Sequence, residues 1–323
     1  MAEITFREAI RQALREEMLH DERVFLMGED IGAYGGTYAV TKGFLGEFGE
    51  KRVRDTPIAE NSIVGVAVGA AMGGLRPIAE IMTINFALLA MDEIVNHAAK
   101  LHYMFGGQIQ VPLVIRTAAG WGQLAATHSQ TFENYFAYVP GLKVVMPSTP
   151  YDAKGLLKEA IRDPDPVLFI EHALLYSMRG EVPDREFTVP IGVADVKREG
   201  QDVTVVAWSR MACVAMQAAE RLADRGVDVE VVDPRTLRPL DLDPLVRSVQ
   251  KTNRCLVVEE GWRSAGMGAE VAASIQEAAF DYLDAPVQRL ASAEVPMPYA
   301  RNLELEAIPD VEDVVRAIEA LAA

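Results

Sequence analysis

Short apolar runs that alternate with helical segments are the feature of this sequence that most constrains its fold. Runs such as 24–28 and 167–171 are apolar at consecutive positions rather than at every second one. This pattern is typical of parallel strands that helices cover on both faces. The sequence therefore predicts an α/β fold with doubly wound, mostly parallel sheets. The strands expected in the first part of the chain are 24–28, 77–82, 111–116, 142–146 and 167–171.

Helical periodicity and capping residues mark the segments between these runs. The first helix follows Thr5, which forms a capping box with Glu8. Another helix has Ser148 and Thr149 as cap candidates and Pro150 in its first turn. The helices predicted after the first one are 61–72, 87–104, 130–138 and 150–162.

A polar, proline-marked stretch, roughly 173–200, divides the chain. Beyond it the alternation restarts, with strands predicted at 203–208, 229–232, 255–259 and 287–290. We therefore expect a first domain at 1–185, a linker at 186–200 and a second, smaller domain at 201–323. A chain of 323 residues is long enough for two such cores.

Composition excludes several classes of protein. Half of the residues are hydrophobic and 24% are charged, which indicates a globular chain. The net charge of −16 argues against nucleic acid or an anionic membrane as the main partner. Two cysteines rule out a disulfide framework and a cysteine-based zinc site. With a charged amphipathic N-terminus and no long apolar run, the sequence predicts a soluble cytoplasmic protein.

Three groups of unusual residues follow predicted strands, where open parallel sheets place their ligands. Glu29 ends the first run beside a glycine-rich loop, although a solvated strand end explains it equally well. Glu60 begins a helix, where it either complements the helix dipole or exchanges a proton as a half-buried carboxyl. Met82 and Phe86 end another strand, and they are either core residues or ligand contacts.

His128 is the best candidate for acid–base chemistry among the five histidines. It alone lies in a long loop of small residues before a helix, although a lone loop histidine is usually solvated. No phosphate-binding signature of the GxxxxGK[ST] type is present, and no predicted strand is followed by GxGxxG. The sequence therefore argues against a stand-alone nucleotide enzyme.

The motifs GED, GGTY, RVRDTPIAE, RPIAEIM, VPLVIR, HSQ, PGLKVVMPSTPYDAKGLLKEAIRD and VEEGW occur in this order. Taken together, they resemble the β subunits of the E1 component of 2-oxo acid dehydrogenase complexes, over essentially the whole chain. The resemblance implies a pyrimidine-binding thiamin-diphosphate domain followed by a transketolase-like C-terminal domain. It also implies oxidative decarboxylation of a 2-oxo acid, with pyruvate expected first and a branched-chain 2-oxo acid or acetoin as alternatives.

Site residues carry over from this resemblance by position. Glu60 matches the glutamate that binds N1′ of the cofactor's aminopyrimidine, and Glu29 matches a residue near the same ring. His128 matches a histidine near the reacting carbon. The residues that match the apolar cradle of the ring and its flank are Ile58, Ala59, Met82 and Phe86.

The resemblance further implies partners and ions. It implies an α₂β₂ heterotetramer with an E1 α subunit, which would hold the diphosphate and its Mg²⁺ because this chain has no Gly-Asp-Gly sequence. It implies transfer of the acyl group to lipoyl groups of an E2 acyltransferase. The residues that match a K⁺ site built from backbone carbonyls are Leu113, Ala160, Ile161, Asp163 and Asp165.

The chain departs from the family in the loop before His128, which carries Trp121 and lacks the usual run of glycines, and at Thr127. A competing hypothesis is a scaffold subunit without catalytic function. The presence of Glu60 and His128 argues against it.

Overall fold

The computed structural model describes residues 1–120, 122 and 124–322. Contacts divide the chain into two compact units. The first unit is Met1–Ala119 with Tyr135–Ile191, and the second unit is Gly120–Asn134 with Gly192–Ala323. The second unit thus includes residues 120–134, which interrupt the sequence of the first unit.

The first unit contains a parallel sheet and a small antiparallel ribbon. Its strands are β1 (Ala2–Thr5), β2 (Val24–Gly28), β3 (Val53–Asp55), β4 (Arg76–Ile81), β5 (Val114–Ala119), β6 (Lys143–Val145), β7 (Val167–His172) and β8 (Arg179–Val182). The parallel strands of this unit lie in the order β6-β7-β5-β4-β2-β3. Strands β1 and β8 pair antiparallel.

Helices connect these strands. They are α1 (Phe6–His20), α2 (Phe44–Phe48), α3 (Glu60–Met72), α4 (Ile84–Ala87), α5 (Leu101–Met104), α6 (Glu133–Ala137), which runs across the sequence boundary between the units, and α7 (Pro150–Arg162). Short 3₁₀ turns lie at Leu88–Ala90 and Ala173–Leu175, and a π-helical turn at Glu93–Ala98.

Two of these helices begin as their capping residues predict. The Thr5 N–H donates to Glu8 Oε2 at 2.8 Å, and the Glu8 N–H donates to Thr5 Oγ1 at 3.2 Å, which completes the capping box of α1. The Asp152 N–H donates to Thr149 Oγ1 at 3.1 Å at the start of α7. These bonds satisfy amide groups that a first helical turn leaves without intrahelical partners.

The single helix predicted at 87–104 is wrong, because this region is broken into short α, 3₁₀ and π-helical pieces. The π-helical turn packs closely against α3, where a Cβ on Gly65 would lie 3.2 Å from Glu93 Cδ. Apolar periodicity along the segment does not reveal this contact with a distant part of the chain.

The second unit is built around a five-stranded sheet in the order β14-β13-β10-β11-β9. The strands of this unit are β9 (Asp195–Arg198), β10 (Val203–Ala207), β11 (Val229–Asp233), β12 (Thr236–Arg238), β13 (Cys255–Trp262) and β14 (Gln288–Ser292), and β12 is not part of the five-stranded sheet. Its helices are α8 (Arg210–Ala223), α9 (Leu242–Thr252), α10 (Met267–Ala279), α11 (Arg301–Ala307) and α12 (Val311–Ala322). The sheet is parallel except for β9, which pairs antiparallel with β11.

Side chains of β10 show that helices cover both faces of this sheet. Val203 and Val205 belong to a buried cluster with residues of α8 and α12. The intervening Thr204 points to the other face, where its Oγ1 lies 2.6 Å from Ser248 Oγ of α9. Alternation along a strand puts successive side chains on opposite faces, so the unit is doubly wound, as predicted.

The proline-marked stretch contains more structure than a linker. Strand β8 lies inside 173–200, and β9 lies inside the predicted linker 186–200. The boundary between the units falls after Ile191, and residues 120–134, expected in the first domain, belong to the second unit. Strand β9 is an edge strand with the polar sequence DVKR, so it lacks the apolar run that identifies the buried strands. Within the described chain, no helix is both long and apolar enough to cross a membrane.

Candidate functional site

The strand register of the first unit brings the predicted acidic residues to one edge of the sheet. Gly28, the last residue of β2, aligns with Asp55 of β3 and with Glu80 of β4. The residues that follow these strands therefore lie at the same carboxyl edge. Glu29 follows β2 directly, and Glu60 begins α3 five residues after β3 ends.

Electrostatics indicate that Glu29 and Glu60 are near one another. Burial raises the pKa of the Glu29 carboxyl, and the negative charges of Asp30 and Glu60 raise it further. Glu60 is only 6% exposed, in the first turn of α3. The raised pKa of Glu29 favours the protonated form of that carboxyl group at the sheet edge.

Apolar side chains accompany this carboxyl pair. Ile58, two residues before Glu60, is 73% exposed and offers apolar surface to a ligand or partner. Ala59, Met82 and Phe86 are half-buried. A cavity of about 580 Å³ lies against β2, β3 and the start of α3, and of the predicted residues Ala59 lines it.

A buried charged cluster near the same sheet edge was not predicted. Arg116 of β5 donates to Glu80 of β4 and to Glu171 of β7, and its Nη2 lies 2.8 Å from Glu171 Oε2. Tyr176 donates to Glu171 at 2.6 Å, and Tyr38 of the glycine-rich loop stacks on Tyr176 with 4.6 Å between the ring centroids.

The ionic partners of Arg116 balance the cost of burying it. Burial raises the pKa of the Glu80 carboxyl, while the Arg116 charge opposes that rise. The pKa of Arg116 itself is raised by Glu171 and Glu80 in spite of its burial. An arginine inside the apolar run VPLVIRTAA was the available sequence signal, because a charge in a strand covered on both faces needs a buried partner.

His128 lies on the segment that belongs to the second unit. Its side chain is exposed, and its Nδ1 is 2.8 Å from the Thr127 hydroxyl oxygen. The next residue, Ser129, is 3% exposed, so the histidine lies directly before the point where the segment becomes buried. Trp121, on which the sequence departs from the family, lies outside the described residues, as does Gln123.

The residues predicted for a K⁺ site lie at the end of α7 and before β5. Arg76 Nη1 donates to the carbonyl oxygens of Ile161 at 2.8 Å and Asp163 at 3.2 Å. The Leu113 carbonyl accepts the Val167 N–H at 2.9 Å. Each of these oxygens keeps a second lone pair, so the carbonyl set fits a cation in donor type while sharing its oxygens with other donors.

Clusters with metal-ligand spacing are few in the part of the chain that the structure describes. Among the described residues, one cluster of carboxylates and histidine, Asp92 with Glu93 and His97, has its ligand atoms within 4.8 Å of one another. The groups are already engaged, since Glu93 Oε2 lies 2.7 Å from His97 Nδ1 and Asn96 donates to Asp92.

Comparison with known proteins places this arrangement in a family. The profile of the transketolase pyrimidine-binding domain matches residues 2–178, and that of the transketolase C-terminal domain matches residues 192–314. The pyruvate dehydrogenase E1 component subunit β of Rhizobium meliloti is 51% identical, with 99% of this chain and 70% of the relative covered. That of Rickettsia felis is 49% identical, with 98% of both chains covered. The chain belongs to the pyruvate dehydrogenase E1 β-subunit family.

Relatives outside bacteria and one solved structure agree with this family. The mitochondrial E1 β-2 subunit of rice is 52% identical, with 98% of this chain and 85% of the relative covered. A split-gene transketolase, solved as an inactive β4 tetramer, has 25% identity and a TM-score of 0.79, with 99% of this chain and 98% of that chain covered. The resemblance and the α/β fold predicted from the sequence are thus confirmed.

Proposed function

We propose that this chain is the β subunit of a thiamin-diphosphate-dependent E1 enzyme that oxidatively decarboxylates pyruvate and passes the acyl group to a lipoyl group of an E2 acyltransferase. The observation that carries the proposal is the near-complete match, at 49–52% identity, to subunits that bear the pyruvate dehydrogenase E1 name. The carboxyl pair at the sheet edge supports it, since Glu29 and Glu60 lie in the domain whose family profile is described as pyrimidine-binding.

Glu60 and Glu29 fit the pyrimidine of the cofactor in chemical type. A carboxyl group that is 6% exposed is suited to hydrogen-bond a ring nitrogen, because little water competes for it. The exposed Ile58 and the half-buried Met82 and Phe86 provide apolar surface for a flat ring. Thiamin diphosphate, when bound, supplies the carbon nucleophile for the 2-oxo group, and Glu60 holds the proton that activates the aminopyrimidine.

His128 is proposed to serve the reacting carbon. Its side chain is exposed on the segment 120–134, and its Nδ1 lies 2.8 Å from the Thr127 hydroxyl oxygen. An imidazole at this point stabilises a developing oxyanion or donates a proton during acyl transfer. These roles require the chain to act in catalysis and not as a scaffold.

We propose that an E1 α subunit completes the enzyme as an α₂β₂ heterotetramer and holds the diphosphate and Mg²⁺. The chain has no Gly-Asp-Gly sequence, and the engaged Asp92–Glu93–His97 group is the one described cluster with metal-ligand spacing. The backbone carbonyls of Leu113, Ala160, Ile161, Asp163 and Asp165 are proposed to hold K⁺. A cytoplasmic location stays a prediction, and some relatives are named mitochondrial.

The test is reconstitution with an E1 α subunit, an E2 component and a dihydrolipoyl dehydrogenase, in the presence of CoA and NAD⁺, so that the lipoyl dithiol formed in acyl transfer is reoxidised by NAD⁺. We expect NADH formation by the assembled complex with pyruvate, and much less with 3-methyl-2-oxobutanoate or acetoin. A higher kcat/KM for 3-methyl-2-oxobutanoate or acetoin than for pyruvate would identify that compound as the preferred substrate. Full activity of a complex assembled with Glu60→Gln would instead support the scaffold hypothesis.

A further inference from the structure

The segment that carries His128 is attached to the second unit at its C-terminal end. Trp208 Nε1 donates to Glu133 Oε1 at 3.4 Å, and Asn134 Nδ2 donates to the Ala265 carbonyl at 2.9 Å. The rings of Phe132 and Trp262 lie 6.3 Å apart. By contrast, His128 and Thr127 are exposed. These anchoring contacts therefore lie four to six positions after the histidine.

Glu133 is the unusual member of this anchor. It is 2% exposed, and Trp208, its partner, is also 2% exposed. The Thr131 hydroxyl bonds to the same carboxyl, but Oε2 has no hydrogen-bond partner among the residues that the structure describes. A Cβ on Gly261 of β13 would lie 3.6 Å from Glu133 Oε1, so the strand backbone approaches the carboxyl closely.

Backbone strain on both sides of the Glu133–Trp208 contact shows that the contact is held against a cost. Phe132 precedes Glu133 with φ at +44°, and Ser209 follows Trp208 with φ at +52°. Such values are unfavourable for side chains other than glycine and persist where surrounding contacts enforce them. A partly satisfied carboxyl in an apolar setting adds a further cost, so packing alone does not account for a glutamate here.

We propose that Glu133 is a positioning residue for His128, which it serves by fixing segment 120–134 to the end of β10 through Trp208. The inference rests on the proposed role of His128 in the reaction. Glu133 lies five positions from the histidine and acts through the segment, not by contact with substrate. Its side chain ties the segment to Trp208, so its loss is expected to free the histidine before it destabilises the whole fold.

The charge state of Glu133 couples this anchor to pH. Burial raises the pKa of the Glu133 carboxyl to about 7, and the negative charge of Glu259 on β13 contributes. Glu259 is itself paired with Arg289 at 2.8 Å, and the nearby Glu260 is paired with Arg210 at 3.2 Å. The folded anchor holds a proton that the opened segment, with an ordinary carboxyl, releases. Protection of the segment therefore falls as pH rises from about 4.5 to about 7 and then levels off.

Hydrogen–deuterium exchange of the full-length chain tests the anchor without any activity measurement. In the wild type we expect protection of residues 124–134, corrected for intrinsic exchange, to fall about tenfold from pH 6 to pH 8, given a pKa that moves from 4.5 to about 7. Glu133→Gln, a neutral isostere, should remove this fall. Glu133→Ala should lose protection at both pH values, and the exposed Glu270→Gln should behave as wild type.

A second set of measurements keeps the inference testable if Glu133→Ala fails to fold. It also distinguishes a failure of this inference from a failure of the proposed function. Trp208→Phe keeps an aromatic ring but removes the indole N–H, so it should also raise exchange at 124–134. In the reconstituted enzyme, Glu133→Ala should lower kcat with little change in KM, and Glu133→Gln should restore kcat and flatten its pH profile. If the variants exchange as wild type does, or if an active enzyme is insensitive to Glu133→Ala, the inference is wrong. A wild-type complex without decarboxylase activity would contradict the proposed function, while the exchange data would still decide the anchor.

Discussion

Glu60 is a residue whose proposed role is chemical rather than structural. It lies in the first turn of α3 beside a second carboxyl, Glu29, whose pKa is raised by burial and by that neighbouring charge. Because Glu60→Gln keeps the size and shape of the side chain, we expect the variant to retain the fold.

We predict that Glu60→Gln slows hydrogen–deuterium exchange at C2 of bound thiamin diphosphate by about 10²–10⁴-fold, the usual contribution of a positioned acid or base. The amide cannot hold and release the proton that the carboxyl does. Nuclear magnetic resonance of quenched samples of the assembled enzyme measures the exchange rate. Glu22→Gln, at an exposed position, is the matched control. A normal exchange rate in Glu60→Gln would remove this residue from the site.

His128→Ala should impair acyl transfer to the lipoyl group at least as much as decarboxylation, by about 10²-fold or more. The comparison is between turnover with an artificial electron acceptor, which bypasses the lipoyl group, and turnover with E2. His20→Ala removes an exposed histidine at the end of α1 and serves as the control. Near-normal flux through E2 would exclude His128 from the mechanism.

Sequence patterns identified the candidate residues that act at strand ends, but not the residues that support them. Glu60 and His128 stand out because of their neighbours in sequence. The pairing of Arg116 with Glu171 joins positions 55 residues apart, and that of Glu133 with Trp208 joins positions 75 apart. Such pairs depend on which strands become neighbours, and a single sequence does not contain that information.

Among the elements, the central strands β4, β5 and β7 are joined by more than backbone hydrogen bonds. Arg116 of β5 links Glu80 of β4 to Glu171 of β7 in the interior of the first unit. Removing one partner of a buried ion pair leaves the other charges without compensation.

We therefore predict that Arg116→Leu lowers the free energy of unfolding by about 3–5 kcal/mol. Urea denaturation followed by circular dichroism measures the change. Arg15→Ala, which breaks the surface pair with Glu47, should lower the free energy of unfolding much less, because solvent screens that pair. If Arg116→Leu lowers the free energy of unfolding no more than Arg15→Ala does, other groups must compensate the charges of Glu80 and Glu171.

The elements themselves were predictable where local signals suffice. Helix α7 has the predicted bounds, 150–162, because Thr149 and Pro150 mark its start and its apolar face is regular. The segment 84–104 was not predictable, since its periodicity shows neither its division into short pieces nor the close approach of Glu93 to Gly65 of α3. Edge strand β9 was missed because a half-exposed strand lacks a continuous apolar run.

At the scale of the whole molecule, the proposal that this chain binds the pyrimidine and the α subunit binds the diphosphate leads to a direct prediction. The purified chain alone should bind thiamin diphosphate and Mg²⁺ weakly, and addition of an E1 α subunit should produce tight, Mg²⁺-dependent binding. Calorimetric titration of the chain, of the α subunit and of both together measures this. Tight binding of the cofactor by the chain alone would contradict the proposal that two subunits share the site.

Potassium should stabilise the assembled protein if the carbonyls at the end of α7 bind it. A K⁺ concentration of about ten times the Kd of the site adds about 1.4 kcal/mol to the free energy of unfolding. The thermal midpoint in KCl should therefore exceed that in tetramethylammonium chloride at the same ionic strength. Equal midpoints would indicate that Arg76, which already donates to the Ile161 and Asp163 carbonyls, is the cation that this region needs.

The membership of residues 120–134 in the second unit has a consequence for protein engineering. A hybrid joined to a relative at residue 191 would receive Trp208 from one parent and Glu133 from the other. A fragment that starts at Gly192 would leave the indole of Trp208 without its acceptor. Exchange of the second unit between relatives therefore requires three crossovers, one on each side of 120–134 and one at 191. A library built with a single junction would combine the segment 120–134 of one parent with the Trp208 region of the other.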